Sequence, residues 1–281
     1  MAGFSGHWAF AFGLLGNVVS FMVFLAPIST FYKIYKKKTS EGFQSIPYVV
    51  ALFSAVLWIY YALLKSNTTL LITINSVGCV IETIYIVFYI YYASKTGRAQ
   101  TFKLLALLMS CGVGLIGVTH FLVKSPEQRT IIVGWICLIF SLCVFVAPLC
   151  ILRQVIRTKS VEHMPFLLSF CLTLSAVMWF FYGLFLKDFN IAIPNVLGFT
   201  FGILQMVLYL MYKNVSKIEA QKLPQTQNEI MVLEEHKNVE IVKISGLDLG
   251  SDKIPVVAQV VCRNEVEAVS LAQKLPKACE V

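Results

Sequence analysis

Charge is scarce in this chain. Only 14% of its 281 residues are Asp, Glu, Lys or Arg, while 58% are hydrophobic. Soluble domains carry about a quarter charged residues, so a soluble enzyme, a nucleic-acid binder and a disordered chain are all poor starting points. Acid is scarcer still: residues 1–212 hold five carboxylates, Glu41, Glu82, Glu127, Glu162 and Asp188, against fourteen Lys and Arg. No Cys-x-x-Cys, His-Glu-x-x-His or glycine-rich phosphate signature occurs, and the histidines at 7, 120, 163 and 236 are scattered. Neither catalysis, a metal nor a cofactor is therefore expected. The eight cysteines fall inside apolar runs or in the C-terminal tail, where no disulfide framework is expected.

What the chain does have is seven apolar runs, at 8–32, 44–64, 70–92, 104–123, 130–152, 164–186 and 189–212. Each is close to the ~20 residues that a helix needs to cross a bilayer. No Lys or Arg precedes the first run and six more follow it, so it reads as a membrane helix and not a signal peptide. Twelve Lys and Arg flank one side of the predicted spans, from Lys33 to Lys38, Lys95 to Lys103, Arg153 to Lys159, and at Lys213 and Lys217; only Lys65, Lys124, Arg129 and Lys187 flank the other. The positive-inside rule then places the N-terminus outside and the tail in the cytosol. The tail, 213–281, is polar and of mixed charge, and is expected to be largely disordered.

An internal repeat organises the spans. Val23-Phe24-Leu25-Ala26-Pro27 returns as Val144-Phe145-Val146-Ala147-Pro148, and Ser54-Ala55-Val56-Leu57-Trp58 returns as Ser175-Ala176-Val177-Met178-Trp179, both 121 residues on; Asn75-x-x-Gly78 returns as Asn195-x-x-Gly198, 120 on. Spans one to three and five to seven are thus two copies of one unit. Three crossings invert a chain, and a fourth restores its direction, so the copies run parallel. The expected fold is an all-α membrane protein with seven transmembrane helices in a 3+1+3 arrangement. Its parts are a first triple-helix bundle at 1–95, a linker helix with its flanks at 96–127, a second bundle at 128–212, and the tail. Parallel repeats about an axis along the membrane normal place a site between the halves.

The residues that occupy matched positions are the candidates for that site. Asn75 and Asn195 each offer donors and an acceptor inside the membrane, suited to a polar solute or to holding neighbouring helices together. Trp58 and Trp179 present flat faces that stack on a ring of the solute, or anchor helices at the interface. Ser54 and Ser175 lie one turn before the tryptophans on the same face. Val23, Val144, Ser20 and Ser141 complete the candidate wall, with helix packing as the alternative for each. Pro27, Pro47, Pro148 and Pro165 fall towards one end of their spans, as hinges or as plain kinks. At the other end Tyr61, Lys65 and Asp188 can form and break a polar closure.

Several of these segments carry a family resemblance. Phe24-Leu25-Ala26-Pro27, Thr39-Ser40-Glu41-Gly42-Phe43-Gln44-Ser45-Ile46-Pro47, Leu57-Trp58-Ile59-Tyr60-Tyr61 and Asn75-Ser76-Val77-Gly78 resemble the first half of a plant SWEET (MtN3/saliva) sugar transporter. Val161-Glu162-His163-Met164-Pro165, Trp179-Phe180-Phe181-Tyr182-Gly183 and Pro194-Asn195-Val196-Leu197-Gly198 resemble its second half. The resemblance, over residues 8–212, implies uncoupled, bidirectional sugar movement by alternating access. It implies neither metal nor nucleotide. Within the family it points to the sucrose-transporting clade, because small residues at positions 23, 54, 144 and 175 go with a larger cavity; glucose is the second substrate. It makes the four prolines the intracellular gate and Tyr61, Lys65 and Asp188 the extracellular one. It further implies a multi-pass protein of the plasma membrane that associates with its own kind, with sugar and bilayer as partners and no nucleic acid.

Two other readings stand beside it. A proton-coupled carrier of the PQ-loop type would use Glu82, which lies seven residues after Asn75 and inside a span. Against that, the matching position in the second copy is Gly202, and Gln44 stands apart from Pro47. A seven-helix receptor has no need of two copies of three helices, whereas a non-transporting membrane scaffold is separated from a carrier only by measured sugar flux.

Overall fold

The computed structural model describes residues 2–161 and 166–213 of the chain. Pro165 and the tail beyond Lys213 lie outside the described residues, with the hinge and the disordered segment that the sequence suggests there. Everything described is helix, turn or loop, with no strand among these residues. The helices are α1 (Ala2–Leu25), α2 (Ile28–Lys37), α3 (Ile46–Leu63), α4 (Thr69–Tyr92), α5 (Lys95–Leu122), α6 (Pro126–Val144), α7 (Val146–Thr158), α8 (Phe166–Phe185) and a ninth, α9 (Phe189–Lys213). α1 with α2, and α6 with α7, form single crossings, Gly6–Lys37 and Pro126–Thr158. Seven segments are therefore long and apolar enough to span a membrane.

The two broken crossings break at the same place in the repeat. Pro27 has no N–H, so the Val23 carbonyl loses its usual partner four residues on and accepts from the Ala26 N–H instead, at 3.1 Å. The neighbouring Phe24 carbonyl is taken by the Tyr85 hydroxyl of α4, at 2.7 Å. In the second copy α6 ends at Val144 and α7 restarts at Val146, with Pro148 in its first turn, where a missing N–H costs nothing. Pro47 likewise stands in the first turn of α3, opening a helix and bending none. The repeat extends to the backbone: Lys38 and Lys159, 121 residues apart, end their helices in the left-handed region at φ 56° and 52°.

Packing divides the bundle along its length. One buried cluster draws on both copies, with Phe53, Leu57, Tyr61, Leu71 and Ile74 from the first against Val133, Cys137, Trp179, Tyr182 and Ile191 from the second. Nearer the prolines each copy has a cluster of its own: Phe31, Ile34, Tyr85, Tyr89 and Ala93 in the first, and Leu152, Val155 and Leu208 in the second. α1 lies along α8 more extensively than α3 lies along α6, its counterpart pairing. Two glycines of α1 allow that approach: a Cβ at Gly13 would stand 2.7 Å from the Tyr182 ring, and one at Gly16 would stand 3.0 Å from the Trp179 ring. α5 packs chiefly against α3 and touches α4 and α6, so the linking helix leans on the first copy. The outward faces carry exposed Leu, Ile, Val and Phe throughout, as a lipid-facing surface requires.

Candidate functional site

Between the copies lies a cavity of about 440 Å³. Both asparagines line it, and their local geometry is the same. The Asn75 amide donates to the Leu71 carbonyl of its own helix at 2.8 Å, and the Asn195 amide donates to the Ile191 carbonyl at 2.7 Å. Each bond spans four residues, fixing the side chain against its helix. The Oδ1 acceptor and the second N–H of each amide form no bond among the described residues, which leaves them for something in the cavity.

The other duplicated residues gather round this pair. Trp58, Trp179, Ser54, Ser175, Ser20 and Ser141 all line the cavity, as does Val144. Val23, its counterpart, does not; it is half-buried in α1 just before the break. Pro148 reaches the wall, whereas Pro27 and Pro47 stay outside it. Each tryptophan is held edge-on by a tyrosine three residues later: Trp58 by Tyr61 at 5.7 Å and 82°, Trp179 by Tyr182 at 5.1 Å and 83°. Of this matched pair, Trp179 bonds across to the other copy, and Trp58 forms no such bond among the described residues. Trp179 Nε1 donates to Ser20 Oγ at 2.9 Å, and Ser20 Oγ lies 2.9 Å from Ser175 Oγ. Phe24 and Phe145, also a matched pair, close the wall on the proline side.

At the opposite end the cavity is shut by Asp188. Its Oδ2 accepts from the Tyr61 hydroxyl at 2.8 Å and pairs with Lys65 Nζ at 2.5 Å. Its Oδ1 accepts from the backbone N–H groups of Asn190 at 3.1 Å and Ile191 at 3.4 Å, capping the first turn of α9. The carboxylate is thus wholly enclosed, with its side chain 1% exposed while that of Lys65 is 29% exposed. A second, weaker bridge mirrors the first, from the Tyr182 hydroxyl to the Asn67 carbonyl at 3.5 Å. Tyr182 stands 121 residues after Tyr61, so the repeat that exposed the tryptophans carries this tyrosine too; sequence reasoning passed over it. Asn190 also joins the closure, donating to the Tyr61 hydroxyl at 3.4 Å.

Every described hydrogen bond between the copies lies at this end or at the level of the tryptophans. On the proline side the separate clusters face each other with no such bond among the described residues. The cavity is closed at the Asp188 end and continues towards Pro148 and Gln205 at the other. Glu82, the one carboxylate deep inside a span, is 5% exposed and does not line it. No cluster of three or more His, Cys, Asp or Glu that could hold a metal occurs among the described residues.

Two copies of a three-helix unit around a shared cavity with paired polar side chains, shut at one end, define a membrane transporter built by duplication. The family model described as "Sugar efflux transporter for intercellular exchange" (MtN3/saliva) matches residues 10–97 and 131–217, one match for each copy. The chain belongs to this family. It is 59% identical over 224 residues to the bidirectional sugar transporter SWEET13 of Oryza sativa subsp. japonica, covering 79% of this chain and 75% of that one. It is 62% identical over 207 residues to the bidirectional sugar transporter N3 of Medicago truncatula, covering 73% and 77%. With the bidirectional sugar transporter SWEET11 of Arabidopsis thaliana the identity is 56% over 236 residues, covering 80% and 81%. A solved structure described as a eukaryotic SWEET transporter matches 75% of this chain and 99% of its own, at TM-score 0.71 and 34% identity.

Proposed function

We propose that the protein is a bidirectional, uncoupled sugar transporter of the plasma membrane that carries sucrose and, as a second substrate, glucose by alternating access. The relatives named above as bidirectional sugar transporters support the direction and the substrate class. The observation that carries the reading is the matched asparagine pair, each amide tied to its own helix and each with an acceptor and a donor left over in a cavity of about 440 Å³. That volume falls within the ~300–1,000 Å³ of small-ligand sites. Sugar hydroxyls satisfy the asparagines, and the indole faces of Trp58 and Trp179 take the apolar side of a ring. The serines supply further hydroxyl contacts, and the small Val144 leaves room.

With the N-terminus outside, the Asp188 end is extracellular and the closed Tyr61–Asp188–Lys65 group makes this an inward-facing state. Pro27 and Pro148 are the hinges about which the far ends of the first and fifth crossings swing to close the cytosolic side, with Pro165 as a further candidate. Pro47 serves the same gate as the start of α3. The protein works as a homo-oligomer.

The test is sucrose and glucose flux in proteoliposomes. Asn75→Ala and Asn195→Ala should each abolish flux while the protein still folds and reaches the membrane, because a desolvated site loses its polar partners. Near-normal flux through either variant would remove the reading.

A further inference from the structure

The cavity is much less symmetric than the repeat. Seven first-copy residues line it, and the second-copy counterpart of each lines it too. Eight more lining residues have no lining counterpart, and all eight belong to the second copy. They include Pro148, Phe201, Gly202 and Gln205, which extend the cavity away from the asparagines along α7 and α9.

The chemistry of the two copies explains the difference. In the first copy this region is filled. Phe31 stacks on Tyr85 at 4.5 Å and 4°, Tyr48 packs on Phe31 at 5.0 Å, and the Tyr85 hydroxyl is tied to the Phe24 carbonyl. In the second copy the matching residues are Leu152 for Phe31, Ser169 for Tyr48, Gln205 for Tyr85 and Gly202 for Glu82. Three rings and a carboxylate are replaced by smaller side chains; Leu152 and Ser169 are buried off the cavity wall, while Gly202 and Gln205 line a groove there. Its wall is Phe145 and Phe201, stacked at 5.4 Å and 26°, with the half-buried Gln205 amide beside them. That amide makes no hydrogen bond to any described residue.

We infer that this groove holds the second ring of a disaccharide, with Gln205 as its hydrogen-bond partner, while the first ring sits between Asn75 and Asn195. The inference rests on the sugar-transport reading and deepens it. Ten positions along α9 separate Asn195 from Gln205, a rise of about 15 Å, too long for one sugar ring to meet both side chains. Aromatic faces with one amide are the surroundings a pyranose or furanose ring takes. A hexose bound at the asparagines leaves the groove empty. The disaccharide therefore lies off the pseudo-symmetry axis, tipped into the second copy, and Gln205 separates the two substrates.

The experiment is a comparison of sucrose and glucose flux in proteoliposomes for the full chain and two variants. Gln205→Met keeps the length and removes the amide; it should raise the KM for sucrose about five- to tenfold, the loss of one buried hydrogen bond, and move that for glucose less than about twofold. Gln205→Tyr restores the residue of the first copy and fills the groove, so sucrose flux should be lost and glucose flux kept. The sucrose-to-glucose ratio within one preparation does not depend on how much protein folds. A ratio unchanged in both variants overturns the groove, as does a parental protein that carries glucose but no sucrose. A parental protein that carries neither sugar removes the transport reading itself, and Asn195→Ala flux equal to the parent does the same.

Discussion

Tyr61 and Asp188, 127 residues apart in the chain, meet hydroxyl to carboxylate at 2.8 Å and close one end of the cavity. The same carboxylate uses its other oxygen to cap α9. The two duties separate by substitution. Asp188→Asn keeps an acceptor for the helix and loses the charge opposite Lys65, whereas Asp188→Ala loses both. Asp188→Ala should cost about 1–2 kcal/mol of stability through the cap, and Asp188→Asn much less, while both weaken the closure and depress flux. Thermal unfolding in detergent beside flux measures both; equal destabilisation by the two variants would show that the cap contributes nothing.

The valines at 23 and 144 match in sequence but not in place. Val144 lines the cavity and Val23 does not. Adding bulk at Val144 excludes a large substrate by overlap without deleting a hydrogen-bond partner. Val144→Met should therefore lower sucrose flux several-fold more than glucose flux, and Val23→Leu should change the ratio little. A larger effect from Val23→Leu would place the substrate elsewhere.

Glu82 tests coupling. A carboxylate that drives transport by proton binding must see the substrate path, and Glu82 is enclosed and off the cavity wall. Sugar flux should be indifferent to a pH gradient and to protonophores, and Glu82→Gln should still transport. Concentrative uptake that collapses with the proton gradient, and is absent in Glu82→Gln, would make the protein a coupled carrier.

The repeat made much of this legible in advance. Seven spans, their grouping, and the Asn, Trp and Ser pairs all follow from runs and displacements in the chain, because identical side chains at identical helix positions face the same shared space. What escaped is what the copies do not share. A search for likeness passes over Gln205 because its counterpart is Tyr85, and over the groove because the residues that line it, Phe201 and Gln205 among them, have no lining counterpart in the first copy. Likewise, two matched tryptophans gave no sign that Trp179 alone would bond across to Ser20; a closed end and an open end cannot treat both copies alike. Tyr182 was the exception, visible in the Trp-x-x-Tyr spacing at 58–61 and 179–182.

The residues that shut the cavity share their helices with two of those proposed to grip the sugar, Trp58 and Asn195. Tyr61 stands three residues beyond Trp58 on α3, and Asp188 caps α9 seven residues before Asn195, about two turns away. Neither helix has a break in that interval. Parting Tyr61 from Asp188 therefore cannot be a local event. It carries an indole and an amide apart with it, so the barrier at the mouth and the shape of the binding chamber change in a single stroke, and a sugar that draws α3 and α9 together pulls its own door shut.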